Sequence, residues 1–292
     1  MKTALFCSLL LGACSAGSRQ GVAHDLAGGS GHDSGPGPGS GGDGATGLGD
    51  GALPTSYVVY AHSNHVLYDI DLAGKQLVEV GPFNAPLVNG IEDVITDLAV
   101  APDGTLYVVS KTTLYTADPT DGHVTSIGKV TACGSDTVAL TTTPDGNLFA
   151  GDHKGAFCKI DLSMSPPKVT QVGTLGNGLA LSGDLVAVGD GTMYGSAGKI
   201  LNGAKNDLLV TIDPLTGKVI KTIGSTGYPQ LYGIAYAMGQ VFGFTHDGTG
   251  DVVTIDPVTG AGKLFNSFND SAGMPISFAG AGVNSMVAPT IN

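Results

Sequence analysis

The sequence predicts an all-β chain of four-stranded sheets closed into a ring, and three observations carry that prediction. A turn marker recurs as Ile70-Asp71-Leu72-Ala73-Gly74, Ala117-Asp118-Pro119 leading to Gly122, and Ile160-Asp161-Leu162. It returns as Ile212-Asp213-Pro214-Leu215-Thr216-Gly217 and Ile255-Asp256-Pro257-Val258-Thr259-Gly260, so that the aspartates fall 47, 43, 52 and 43 residues apart. A second marker, Pro102-Asp103-Gly104 and Pro144-Asp145-Gly146, sits between first and second strands, with Ser182-Gly183-Asp184 expected at the same place. Third, the two ends are complementary. The first unit opens on a second-type strand, Tyr57-Val58-Val59-Tyr60, and lacks an inner strand, while Phe278 to Val283 supply a spare one. A period of roughly 40–50 residues with four strands per unit marks a β-propeller blade. Pairing the last strand with the first blade closes the ring and argues against an open solenoid. The count is about five blades.

The first complete unit, Ile95 to Val130, shows how each element is specified. It reads ITDLAVA, PDG, TLYVVS, TLYTA, DPTDG and HVTSI: four short strands separated by turns. An Asp side chain accepts a hydrogen bond from the backbone two residues on, Pro presets φ, and Gly takes the left-handed position that closes a hairpin. One such sheet buries too little to stand alone and must stack on copies of itself. Its upper loop, Ser110-Lys111-Thr112, is the plainest of the set.

Composition agrees with this architecture. The 292 residues include 47 Gly and no Trp, and glutamate occurs only at Glu79 and Glu92, which disfavours long helices. The formal charge of −12, with Arg19 the only arginine, excludes nucleic acid as a partner, because phosphate contacts need clustered Lys and Arg.

The N-terminus reads as an address. Met1-Lys2 precede a short apolar run, Ala4 to Leu11, and then Leu11-Gly12-Ala13-Cys14. This stretch resembles a bacterial lipobox. The resemblance implies a signal peptide over 1–14, lipidation of Cys14 and, with Ser15 next, delivery to the outer membrane or cell surface. Residues 15–54 are Gly-, Ser-, Asp- and Pro-rich and read as a disordered tether with a reach of roughly 35 Å. Its GxG repeats lack the preceding strand and following helix of a phosphate loop. The propeller is assigned to 55–292.

VLYDIDLAGKQLVEV, LLVTIDPLTGKVI and VVTIDPVTGAGKL are similar to bacterial β-propeller repeats of the YVTN and NHL-like kind. That resemblance implies the fold and leaves activity open, since the matching residues form strands and turns. The chain departs from it in having fewer repeats than the usual six or seven. It also lacks the tryptophans of WD40 and quinoprotein blades, so no pyrroloquinoline or other cofactor is expected.

In a propeller the loops joining second to third strands, and those joining one blade to the next, open on one face around the channel. The repeat places His62 and His65 of AHSNH there, with Asp152 and His153 of GDHKG, and His246 and Asp247 of THDGTG. Asn89, Glu92 and Asp93 of the first inter-blade connection, and Asp136 of the next, belong to the same rim. Histidines and carboxylates converging from several blades can hold a metal or act as acid and base. No HxH, HExxH or CxxC spacing is present, so no metal site is predicted. His123 falls on the opposite face. Gly189 to Asn206 accounts for the 52-residue spacing; it is expected to join second to third strands of blade four, with Tyr194 and Lys199 offering contacts. Cys7 lies in the signal segment, which leaves Cys133 and Cys158 as a candidate disulfide of an exported domain.

The function expected from these readings is a surface-tethered lipoprotein, a monomer, whose propeller serves as a binding platform for a protein or glycan of the envelope. It would meet the membrane only through its lipid. The alternative is a metal-assisted lyase or hydrolase of the streptogramin-lyase or lactonase kind using Glu92 and the rim histidines.

Overall fold

The computed structural model describes residues 58–199 and 205–284. Cys14, the expected signal segment and the tether lie outside the described residues. Blade one contains β1 (Val58–His62), β2 (Val66–Asp71) and β3 (Gln76–Pro82), and a short ribbon of β4 (Leu87–Val88) and β5 (Ile91–Glu92) leads out of it. Blade two is β6 (Ile95–Val100), β7 (Leu106–Ser110), β8 (Thr113–Ala117) and β9 (Val124–Lys129). Blade three is β10 (Thr137–Thr142), β11 (Leu148–Asp152), β12 (Ala156–Asp161) and β13 (Lys168–Thr174). Blade four is β14 (Leu179–Ala187), β15 (Met193–Lys199), β16 (Leu208–Ile212) and β17 (Val219–Ser225). Blade five is β18 (Leu231–Ala237), β19 (Gln240–Thr245), β20 (Asp251–Ile255) and β21 (Gly262–Ser267), and β22 (Gly280–Gly282) ends the series.

The expected ring closure is present. Strand β22 pairs antiparallel with β1, Tyr60 against Gly282 and His62 against Gly280, and becomes the inner strand of blade one. Inner strands β6, β10, β14, β18 and β22 neighbour one another in sequence, and β22 returns to β6. The fold is an all-β propeller of five four-stranded blades.

Burial falls from the axis outward, as the sequence patterns require. Strand β10, TVALTT, is buried at every residue, whereas outer strands such as β17, VIKTIGS, are buried at none. A strand covered on both faces reads as a continuous run, and an edge strand carries charge, here Lys221 and Lys263. The cores lie between blades. Phe244 of blade five meets Phe278 edge to face at 5.4 Å, and Leu67 with Phe83 packs against Ile95 and Leu106 of blade two.

The marker turns form for the predicted reason. Asp213 Oδ1 accepts from Leu215 N at 2.9 Å, Asp256 Oδ1 from Val258 N at 2.7 Å and Asp118 Oδ1 from Thr120 N at 2.8 Å. The closing Gly217, Gly260 and Gly122 all have positive φ. The hydroxyls of Thr120 and Thr216, and then these backbone N–H groups, hold the carboxyls of Asp118 and Asp213 below the usual range, and the Val258 N–H does so for Asp256.

Blade four corrects two expectations. Its turn between first and second strands is Gly189-Asp190-Gly191: Asp190 Oδ1 accepts from Thr192 N at 2.8 Å, as Asp103 Oδ1 does from Thr105 N at 3.0 Å. Ser182-Gly183-Asp184 is therefore not that turn. It is a bulge inside β14, where the register jumps between Leu181 and Leu185. Gly189 to Asn206 is accordingly not a single insertion joining second to third strands, because its middle forms β15. The extra length is split between the β14 bulge and the connection from Lys199 to Leu208. Cys133 and Cys158 form a disulfide with Cα atoms 5.6 Å apart, tying the 3-10 turn at Thr131–Cys133 to β12.

Candidate functional site

Four of the five inner strands carry a bulge. The register shifts between Ile95 and Asp97 in β6, Thr137 and Ala139 in β10, Leu181 and Leu185 in β14, and Leu231 and Gly233 in β18. A bulge leaves its extra residue unpaired and re-aims the side chain. Of the residues so freed, Thr96, Val138, Ser182, Gly183 and Tyr232, with Ala279 just before β22, line one cavity of about 190 Å³ at the mouth of the channel. Loops of the same face complete it with Asn64, Val94, Lys111, Asp136 and His153. Every blade contributes.

The polar groups of this mouth are held in defined roles. Lys111 Nζ lies 3.0 Å from Asp136 Oδ1, bridging blade two to the connection that carries the disulfide. His153 Nδ1 is 3.2 Å from Leu181 O; a carbonyl can only accept, so Nδ1 carries a proton, and in the neutral ring Nε2 is an acceptor. Asn64 Nδ2 donates to Ile95 O at 3.2 Å, which leaves its Oδ1 as an acceptor. The Tyr232 ring stacks on His246 at 4.6 Å, and His246 Nδ1 in turn lies 2.9 Å from Phe278 O. Burial, and then the carboxylates of Asp207 and Asp136, push the Tyr232 phenol up, so it remains a donor.

One residue further along the inner strands lies a closed polar floor. The positions there are Asp97, Ala139, Asp184, Gly233 and Gly280. Asp97 Oδ1 accepts from Leu98 N at 2.8 Å and Oδ2 from Leu140 N of the next blade at 2.6 Å. Asp184 accepts from Leu185 N, and from Ile234 N of blade five at 2.7 Å. The two carboxyls also hydrogen-bond to each other across the channel, which requires a shared proton. Burial holds both well above the usual carboxylate range, and the adjacent Asp184 carboxylate adds to this at Asp97. Gly280 is required beside them, because a Cβ there would collide with His62 Nε2 and Asp97 Oδ1. His62 is fully buried; Nδ1 donates to Ser63 O at 2.7 Å and Nε2 has no partner. Burial pulls its pKa down to about 4, so it is neutral.

The sequence-predicted residues therefore divide. Asp136 and His153 meet in the cavity, His246 supports it through Tyr232, and His62 lies in the floor below. Asp152 is spent inside its own loop, accepting from Lys154 N at 2.9 Å and Ala156 N at 2.7 Å. Asp247 caps its turn through Thr249 Oγ1 at 2.6 Å. Glu92 accepts from Ala85 N at 3.1 Å and pairs with His65 at 3.3 Å on the outer rim, and Asp93 accepts from Tyr115 Oη at 2.6 Å. Asn89 takes the left-handed turn of the β4–β5 ribbon. Lys199 ends β15 on the rim, exposed. Tyr194 is at the other end of that strand, stacked on Tyr236 near the opposite face, because residues 193–199 form strand and not loop. Among the described residues no group of three or more His, Cys, Asp or Glu is arranged to hold a metal ion. Lys111, Tyr232, Asn64 and Asp97 were not singled out by sequence as site residues, and Asp184 was expected only in a turn. A charged residue inside the apolar run ITDLAV was the signal for Asp97; no pattern marked Lys111.

Ring, bulges and shared mouth define a five-bladed β-propeller with an axial cavity. No family model matches the chain, and no curated protein does. Among solved structures it is similar to a protein of unknown function from Bacteroides caccae, with a TM-score of 0.45 and 12% identity over 78% of this chain and 98% of that one. It is also similar to Kuenenia stuttgartiensis hydrazine synthase, with a TM-score of 0.41 and 16% identity over 68% of this chain and 59% of that one. These likenesses concern the fold alone.

Proposed function

We propose that the chain is an exported lipoprotein, anchored through Cys14 at the outer membrane or cell surface, whose YVTN- and NHL-like propeller binds a protein or glycan partner at the axial mouth. One observation carries the reading: four inner-strand bulges and the closing strand all turn side chains into a single cavity on the loop-bearing face. Bulges disrupt the ladder and are over-represented next to active sites, so four converging on one place support a site there. The disulfide suits an oxidising compartment outside the cytoplasm. The tether would hold the domain, as a monomer, clear of the lipid surface. The lyase or hydrolase alternative has less behind it, because Glu92 is engaged at the rim by Ala85 N and His65.

The test is capture from solubilised envelope by the full chain and by the variant Asp136→Asn/His153→Ala/Tyr232→Phe. A partner retained by the wild type and lost by a folded triple variant supports the reading. Equal capture by both places the binding surface elsewhere. Metabolic labelling with a palmitate analogue, abolished by Cys14→Ala, checks the anchor.

A further inference from the structure

We infer that the axial cavity takes a neutral polyhydroxylated ring, the terminal hexose unit of a glycan. The inference rests on the mouth being the binding site and narrows its ligand to one class. Size is the first argument. Pockets for drug-sized ligands run to roughly 300–1,000 Å³; about 190 Å³ admits a single small ring. Charge is the second. The cavity's one cation, Lys111, already faces Asp136 at 3.0 Å. An anionic ligand would meet the Asp136 carboxylate and a cationic one the Lys111 ammonium, so either must break the pair. A hydroxyl group need not, since its oxygen accepts from Lys111 while its proton goes to Asp136.

The donor and acceptor pattern is the third argument. The mouth offers both kinds of group: Asn64 Oδ1 and His153 Nε2 can accept, and Tyr232 Oη donates or accepts. Vicinal hydroxyls, each both donor and acceptor, match such a set, whereas an acceptor-only phosphate or carboxylate leaves half of it unpaired. The Tyr232 ring, locked against His246, adds a flat apolar surface for the C–H face of a sugar. A ligand of about a dozen heavy atoms held this way binds with a dissociation constant on the order of 1 mM. Useful affinity would then come from many anchored copies meeting a repetitive glycan.

The experiment is titration of the full chain by ligand-observed NMR with methyl hexosides, methyl N-acetylglucosaminide, glucuronate, glucosamine and inorganic phosphate. At least one neutral glycoside should bind, several-fold more tightly than either charged sugar or phosphate. Asp136→Asn should weaken it about tenfold and, by leaving Lys111 unpaired, raise the affinity for glucuronate. A merely structural role for Asp136 would not produce that exchange of selectivity. Preference for glucuronate or phosphate by the wild type overturns the neutral class. Sugar binding unaffected by Asp136→Asn and Tyr232→Phe places it outside the cavity. If no sugar binds while envelope capture still depends on the cavity, the sugar class fails and the binding reading survives; if both are absent, both fail.

Discussion

Two polar clusters sit one residue apart on the same axis and are built for opposite ends. At the mouth, Lys111, Asp136, His153 and Tyr232 meet solvent and keep unused donors and acceptors. On the floor, Asp97, Asp184 and His62 are fully buried, and the carboxyls spend themselves on backbone N–H groups of their own and the next blade and on each other. Similar residue types therefore do different work. The carboxyls of the floor tie blades two and four to their neighbours through hydrogen bonds in a low-dielectric channel, whereas the one carboxyl of the mouth, Asp136, is partly exposed and screened. The difference teaches that a propeller channel can hold carboxyls spent on architecture directly beneath a carboxylate, Asp136, that keeps contact with solvent.

The sharpest break in this comparison is Asp184→Ala. It strips the acceptor from Leu185 N and Ile234 N and leaves the Asp97 carboxyl without its partner. A loss of roughly 3–5 kcal/mol in urea unfolding is expected. Asp184→Asn should cost less than Asp184→Ala, because its one amide oxygen keeps one of the two backbone N–H partners while its NH2 donates to the Asp97 carboxylate, making the shared proton unnecessary. With both folded pKa values raised, the stability of the wild-type pair is full below the unfolded carboxylate range and is lost as pH rises through the folded values. Asp184→Asn should therefore flatten the decline toward alkaline pH. If Asp184→Ala unfolds at the wild-type urea midpoint, the floor is not structural.

The disulfide links the two clusters' support. It closes a 25-residue separation and anchors the connection that carries Asp136. Cys133→Ser/Cys158→Ser should cost about 3.5 kcal/mol on the loop-entropy estimate, and it should also weaken any ligand that contacts Asp136. An unchanged unfolding midpoint after reduction would separate the disulfide from both.

His62 and Asp207 give mirror-image tests. Burial holds Asp207 up at about 6, while Leu231 N donates to its Oδ2 at 2.7 Å. Its contribution is full below the unfolded value near 3.8 and is lost as pH rises through about 6. The sign reverses for His62: its folded value near 4 lies below the unfolded 6.5, so its contribution is present above pH 6.5 and lost as pH falls toward 4. Relative to the wild type, Asp207→Asn should gain stability from pH 4 to pH 6, by about 3 kcal/mol. His62→Gln should gain by a similar amount in the opposite direction, as pH falls. Urea unfolding at half-unit pH intervals separates the curves, and two that slope the same way would contradict these burials.

What the sequence revealed follows the same division. Turns are local chemistry, so Asp118, Asp213 and Asp256 announced their positions, and the complementary ends announced the closure between β22 and β1. The bulges did not announce themselves, because a bulge is a register offset between two strands and leaves no motif in either. Ser182-Gly183-Asp184 looked like a shortened turn for that reason, and Tyr194 was carried to the wrong face with it. Lys111 was invisible on its plain loop. Its role comes from Asp136 in the next blade, a partner that only the ring brings within 3.0 Å.

The smallest expected effect is the one that best separates recognition from architecture. Lys111→Gln removes an ion pair whose lysine side chain is 60% exposed, and an exposed pair contributes little to stability. Unfolding should shift by no more than about 0.5 kcal/mol. The same substitution leaves Asp136 as the only charged side chain of the mouth and takes the ammonium donor from any bound hydroxyl. A variant with wild-type stability and lost ligand binding is the result that a recognition site predicts. Lost stability with intact binding would instead make Lys111 part of the scaffold and move the boundary between the two clusters outward by one layer.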